Sequence, residues 1–527
     1  MSAGHPRLGP PPLALHRSLA LLLLAALWTA FFFNLHAFPL FDLDEGAFSE
    51  ATRDMLARGD WIATYLYGEP RYDKPILIYW LQALSVSLFG LQEWALRLPS
   101  ALASTAWMLL IYAFCARLGD ARTGLIAATL GASAFAITVV GKAAIADGLL
   151  NLLIAAAMFA IYLHYTRRQP RYIYLAFIAM GLGFLTKGPV AVVIPLLASL
   201  LFYLLKGQGR AWLAAAFNPL GLGLFLALVL PWYLTITWRE GPGFLLGFLL
   251  EHNLGRFQAP MHGHSGPLFF YLPVLLVALL PYSSLLVRTL WEMRRSWVYR
   301  QDLHAFLLVW FAVVLVLFSL SGTKLPHYIL YGVTPLLILM ALHLETLKSR
   351  AWLFLPAVLM FAFLLLVPDL LSWLKPQLRD AYVLGLLTDH HAHFSLLWRL
   401  YFALALGISL YFMFATLRRN TQGYRLLLLG LLLNIGTAGL VLPAISAIQQ
   451  GPIYAAAQAA RAFSDEAIVM WRLNTPSFNV YTQRVIERRT PQVGEIALTR
   501  EDSLPRLGEY ELLFAHNGVV LVRVLRL

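Results

Sequence analysis

The chain is a succession of apolar runs about 18–25 residues long, separated by short polar breaks, and that is the length a helix needs to cross a bilayer core of about 30 Å. In hydrocarbon every backbone N–H and C=O must be bonded internally, so a spanning segment is a helix or part of a closed barrel. The alternating apolar and polar pattern of barrel strands is absent. A composition of 60% hydrophobic and 13% charged residues over 527 positions fits the helical solution. The expected fold class is an α-helical polytopic membrane protein. The net charge of +13 comes from basic residues gathered in the polar breaks, as in cytoplasmic loops, so no nucleic-acid partner is expected. One cysteine, Cys115, leaves no intramolecular disulfide to form. The first run follows Arg7, His16 and Arg17 without a small-x-small cleavage site before Asp42, and reads as a retained anchor.

Basic residues mark the inner ends of the runs: Arg17, Arg117 to Arg122, Arg167 to Arg171, Lys206 and Arg210, Arg294 to Arg300, Lys348 and Arg350, and Arg418 to Arg425. Parity then allows one span between Leu40 and Arg117, so the run Ile76 to Leu91 is expected to lie in the outer interface. The result is thirteen spans, beginning near Leu19, Leu98, Thr123, Gly148, Tyr172, Pro189, Trp212, Leu268, Leu303, Tyr328, Trp352, Phe394 and Tyr424. The pair split at Thr186-Lys187-Gly188-Pro189 is decisive, because one long helix there would reverse everything downstream. Residues 1–448 read as a membrane domain whose first external loop is 41–97. Residues 449–527 read as a small external α+β domain, with a helix at Ile453 to Phe463. Strands are expected at Glu511 to Ala515 and Val519 to Leu525, joined by the tight-turn pair Asn517-Gly518.

Charged clusters collect at the outer face. Phe41-Asp42-Leu43-Asp44-Glu45-Gly46 comes after the first span, and Arg71-Tyr72-Asp73-Lys74-Pro75 precedes the next apolar run. Acids at a membrane edge are solvated, paired or used. Asp44 either caps the helix beginning there or faces a cavity as a base or charge stabiliser, with Glu45 beside it. Lys74 either snorkels at the interface or captures a phosphate; Asp73 pairs with it or ligates a metal. Asp147 caps the span it begins, on the same face as Asp44, and Lys142 neutralises it or touches a phosphate. The loop from Glu251 to His264 holds His252, Arg256 and His264; it is not a compact zinc pattern, and Arg256 suits a phosphate. Lys324 and Tyr328 either anchor the interface or clamp a phosphate.

Taken together, Asp44-Glu45, Arg58-Gly59-Asp60-Trp61, Tyr72-Asp73-Lys74-Pro75, Thr186-Lys187-Gly188, Glu251-His252 with Arg256-Phe257, and Lys324-Leu325-Pro326 with Tyr328 resemble the polyprenyl-phosphate-dependent GT-C glycosyltransferases. Within these the pattern is similar to the bacterial aminoarabinose lipid A transferases and their protein O-mannosyltransferase relatives, in consistent order to about Leu347. The resemblance implies a GT-C fold of about thirteen helices with a small periplasmic C-terminal domain, in the bacterial inner membrane. It implies that Asp44 is the essential acid and that Asp147 supports the same cavity. Lys74 and Arg256 would hold the donor phosphate, with Tyr328 beside the donor lipid. It also implies a divalent metal at Asp73 with His264, or failing that His252. One departure stands out: Gly46-Ala47-Phe48 replaces a Thr-Arg-Tyr-like run, so a basic contact is missing at Ala47.

The expected activity is therefore inverting transfer of a sugar from a polyprenyl phosphate to a lipid, glycan or protein acceptor at the periplasmic face. Lys74, Arg256 and Lys324 would stabilise the leaving phosphate, and Asp44 would orient or deprotonate the acceptor. No nucleotide cofactor is expected, because no glycine-rich strand-to-helix turn is present. The alternatives are a lipid or solute transporter, and a ligase using a pyrophosphate-linked donor.

Overall fold

The computed structural model describes residues 13–248, 255–259, 264–295, 301–344, 350–415 and 421–526. Among them, eight helices are long and apolar enough to cross a membrane, or nine if one bent pair counts as a single span. They include Glu93–Arg117, Asp147–Arg167, Pro219–Glu240 and Asp302–Leu320. Helix Glu93–Arg117 opens on a glutamate and closes on an arginine, which suits the helix dipole at both ends.

Several expected spans take another form. The run from Thr123 is two helices, Ala121–Ala132 and Phe135–Lys142, bent by 71°. The span expected from Trp212 begins instead at Pro219. The run from Leu268 is divided into Tyr271–Ala278 and Ser283–Arg295. The decisive break at Lys187 is real: Pro170–Lys187 and Val190–Leu205 are separate helices. Gly188 turns between them at φ +78°, and a Cβ there would lie 2.3 Å from the Phe248 ring. Glycine thus supplies both the backbone angle and the space.

The loop after the first span is mostly helical. Helix Asp44–Arg58 ends at Gly59 (φ +66°) and packs on Leu77–Phe89, with Phe48 stacked on Tyr79 at 5.3 Å and Thr52 bonded to Gln82 at 2.9 Å. Leu77–Phe89 has 13 residues, about 20 Å of helix, too short for the core. Its Leu84 and Leu88 point outward, as an interfacial helix requires.

The C-terminal region contains a four-stranded sheet: β1 (Ile468–Met470), β2 (Ile496–Arg500), β3 (Glu509–His516) and β4 (Val519–Arg526). Their spatial order is β1-β2-β4-β3, with β1 and β2 parallel and the other pairs antiparallel. Period-two alternation gives the sheet an apolar cluster on each face. Val519 and Leu521 meet helix Gly451–Ala460, while Val520, Val522 and Val524 meet Val469 and Leu507. His516 pairs with Val519 across Asn517 (φ +42°) and Gly518 (φ +84°), the tight turn read from the sequence. Strands β1 and β2 were not foreseen.

Candidate active site

Asp44 and Asp147 each stand at the first position of their helices. The capping positions fall on Leu43 and Ala146, neither of which makes a side-chain cap, so the capping alternative is not realised for either aspartate. Asp44 is exposed and lines a cavity of about 240 Å³, together with Phe41, Glu45, Arg97, Lys142 and His327. Asp147 is buried. One carboxylate oxygen lies 2.7 Å from Lys187 Nζ and 2.5 Å from the Tyr331 hydroxyl, and the other 2.9 Å from Lys187. His327 Nε2 is 3.7 Å away.

His327 joins the two sides. It lies close to Asp147, lines the cavity with Asp44, and is within electrostatic reach of Lys187 and Lys74. Tyr328 belongs to the same group: Lys187 Nζ lies 5.4 Å from its ring and 5.6 Å from that of Tyr331. Lys74 itself donates to the Asp73 carbonyl at 3.0 Å. Arg71, beside Asp73 at 3.4 Å and within electrostatic reach of Asp44, adds a second cation on the loop.

Glu45, expected as a catalytic group, is spent on structure. It is 3% exposed, and its two oxygens accept from Arg97 at 2.9 and 2.8 Å, from the Phe41 N–H at 2.9 Å and from the Ala144 N–H at 2.7 Å. Burial alone would raise its pKa; the Arg97 guanidinium and these bonds hold it below the usual carboxylate value. With its lone pairs occupied, Glu45 ties Arg97 to the Phe41 and Ala144 backbone. Arg97, fully buried, goes on to donate to the carbonyls of Leu35, Phe38 and Pro39. Lys142 donates to the Phe33 carbonyl at 2.9 Å rather than neutralising Asp147. Two cations thus hold the chain where it leaves the first span.

The remaining expected residues are less closely joined. Lys324 Nζ turns to the Ser321 carbonyl at 2.7 Å, and its N–H donates to the His264 carbonyl at 3.0 Å. Arg256 begins a short helical turn, Arg256–Gln258. Its side chain, and all of His252, lie outside the described residues. The expected metal site is only partly within the described residues, because His252 lies outside them. Asp73 lies 3.4 Å from Arg71, His264 is exposed, and no three His, Cys, Asp or Glu side chains gather within a metal's reach among the described residues.

Sequence reasoning did not assign Lys187, His327, Tyr331 or Arg97 to the site. Lysine and arginine within apolar helices are costly unless used or paired, and that signal was available for Lys187 and Arg97. Nothing comparable marked Tyr331.

Residues 73–234 match the family model of dolichyl-phosphate-mannose-protein mannosyltransferases. The chain is 32% identical over 338 residues to the undecaprenyl phosphate-alpha-4-amino-4-deoxy-L-arabinose arabinosyl transferase of Serratia proteamaculans (strain 568), covering 63% of this chain and 60% of that protein. A protein of the same description from Yersinia pestis (strain Pestoides F) is 32% identical over 328 residues, covering 60% and 58%. The chain therefore spans less than two thirds of the length of these curated relatives. Among solved structures, ArnT from Cupriavidus metallidurans bound to undecaprenyl phosphate has a TM-score of 0.77 at 19% identity, over 96% of this chain and 98% of the other. The fold is the ArnT-like GT-C fold, and the resemblance carried by the motifs is borne out.

Proposed function

We propose that this multi-span membrane protein is a glycosyltransferase that moves a sugar from undecaprenyl phosphate to an acceptor at the periplasmic face of the bacterial inner membrane. The observation that carries the reading is the exposed carboxylate of Asp44 on a cavity that also holds His327, with Lys187 and Lys74 within electrostatic reach of His327 and Arg71 within reach of Asp44. The arabinosyl transferases of Serratia and Yersinia are named for an undecaprenyl-phosphate donor, and the neighbouring solved structure holds undecaprenyl phosphate.

The acceptor nucleophile attacks the anomeric carbon. The new glycosidic bond forms as the bond from that carbon to the phosphate oxygen breaks, with inversion. The electron pair leaves on polyprenyl phosphate, and a hydroxyl acceptor passes its proton to Asp44. Charge grows on the departing phosphate, so Lys74, Lys187 and Arg71 bind the transition state more strongly than the ground state. Asp147 holds Lys187, His327 and Tyr331 in place for that task. The acceptor is lipid A, another glycolipid, a glycan or a protein.

The test is direct. The purified chain is given undecaprenyl phosphate-α-4-amino-4-deoxy-L-arabinose with candidate acceptors, and release of undecaprenyl phosphate is tracked with the mass of the acceptor. Transfer only from pyrophosphate-linked donors would make it a ligase. Movement of a labelled lipid across vesicles without any transfer would make it a transporter.

A further inference from the structure

The segment between Phe33 and Leu43 contains no helix or strand, yet it delivers Asp44 to the cavity. Its backbone is held from two sides. Arg97 grips Leu35, Phe38 and Pro39 from the membrane domain. The C-terminal region grips Leu40 and Asp42. The Leu40 N–H donates to the Tyr481 hydroxyl at 2.7 Å. The Asp42 carboxylate accepts from the Ser477 N–H at 2.9 Å and from its hydroxyl at 2.5 Å. With its amide turned to satisfy both groups, Gln450 donates to Asp42 at 3.1 Å and accepts from the Asp42 N–H at 3.2 Å. Tyr481 and Ser477 both lie on the helix Pro476–Thr482, and Ser477 is 1% exposed.

The approach is as close as a backbone permits. A Cβ on Gly46 would lie 2.0 Å from Asp42 Oδ1 and 2.8 Å from the Ser477 nitrogen. The glycine that departs from the family's run is therefore what lets the two helices meet. Asp44 lies two residues from the Asp42 anchor and two from Gly46, so this contact brackets the proposed base on both sides.

We propose that Ser477 and Tyr481 are positioning residues for sugar transfer: the C-terminal domain fixes the Leu40–Asp44 segment and so aims Asp44 into the cavity. This rests on the glycosyltransferase reading for its kinetic consequence, but not for its structural one. A misplacement of about 1 Å at a reacting group can cost on the order of a hundredfold in rate.

The experiment uses the full chain in lipid nanodiscs, comparing wild type with Ser477→Ala, Tyr481→Phe and Gly46→Ala. Amide hydrogen exchange is read at residues 40–46, with β4 as an internal control. Transfer is read with undecaprenyl phosphate-α-4-amino-4-deoxy-L-arabinose as donor. The expected result is faster exchange at 40–46 with β4 unchanged, and a kcat lower by roughly ten- to a hundredfold with donor KM within about threefold. Gly46→Ala reaches the same outcome from the loop side, leaving the C-terminal helix intact. Unchanged exchange at 40–46, or loosened exchange with unaltered kcat, overturns the proposal; so does faster exchange throughout β4, which marks general unfolding. A wild-type chain that transfers no sugar sinks the functional reading instead, and the exchange measurement still decides the anchoring.

Discussion

Two helix starts, Asp44 and Asp147, carry the same local signature and opposite environments. Each aspartate sits at the first helical position at the outer face, just after a residue that makes no cap. Asp44 is exposed to a cavity. Asp147 is 3% exposed and accepts from a lysine and a tyrosine, with an imidazole close by. A buried carboxylate with its lone pairs occupied is a poor proton acceptor but a good organiser of cations. An open one retains the freedom to meet a substrate. Identical sequence position therefore does not assign identical work; the neighbours brought by distant segments do.

That division can be broken experimentally. The largest effect is expected from Asp44→Asn, which should lower the transfer rate by roughly a hundred- to ten-thousandfold while leaving the melting temperature in place. Equal losses of stability at Asp44 and Asp147 would erase the distinction. Asp147→Ala should destabilise the fold by about 3–5 kcal/mol, because Lys187 is left largely shielded from water without its counter-charge. Thermal unfolding in nanodiscs reads this, and adding Lys187→Met should recover much of the stability but not the activity. A smaller change, about 1.5–3 kcal/mol, is expected from Tyr331→Phe, which removes one hydrogen bond to a charged acceptor.

The gentlest test uses pH on the loop side alone. Burial pushes the Asp42 carboxyl up to about 7, although the Ser477 bonds oppose it, and burial pushes Glu50 up to about 7 despite Arg53. An acid with a raised folded-state pKa contributes stability that is full below its unfolded value and lost as pH rises through the folded one. Both acids face the C-terminal helix, Asp42 at Ser477 and Glu50 at Asn479. Docking of residues 476–482 should therefore loosen as pH rises from the ordinary carboxylate range to about 7 and change little above that, seen as exchange faster than the intrinsic base-catalysed increase. Asp42→Asn should weaken that response and leave the part due to Glu50.

Much of the molecule was legible in the sequence, for identifiable reasons. Spans are read from length and hydropathy, which are local properties, and the Asn517-Gly518 turn comes from two residues that tolerate positive φ. The bend between Ala132 and Phe135 and the division after Ala278 were missed because apolar content does not report helix continuity. Strand β1 has three residues, too few for an alternation to register. At the site, the clusters around Asp44, Lys74 and Asp147 were found because charge is rare at a membrane edge. Their partners were not, because Tyr331 lies 184 positions from Asp147 and Arg97 lies 52 from Glu45. No periodicity links such distances; only the packed helices do.

The grip of Arg97 and Lys142 on bare carbonyls has an evolutionary corollary. Every residue offers the same C=O, so those two cations hold the stretch from Phe33 to Pro39 without regard to which side chains it bears. Such a tether leaves this stretch, including Phe38 on the cavity wall, free to diversify. Substitutions there can reshape that wall while the backbone stays held.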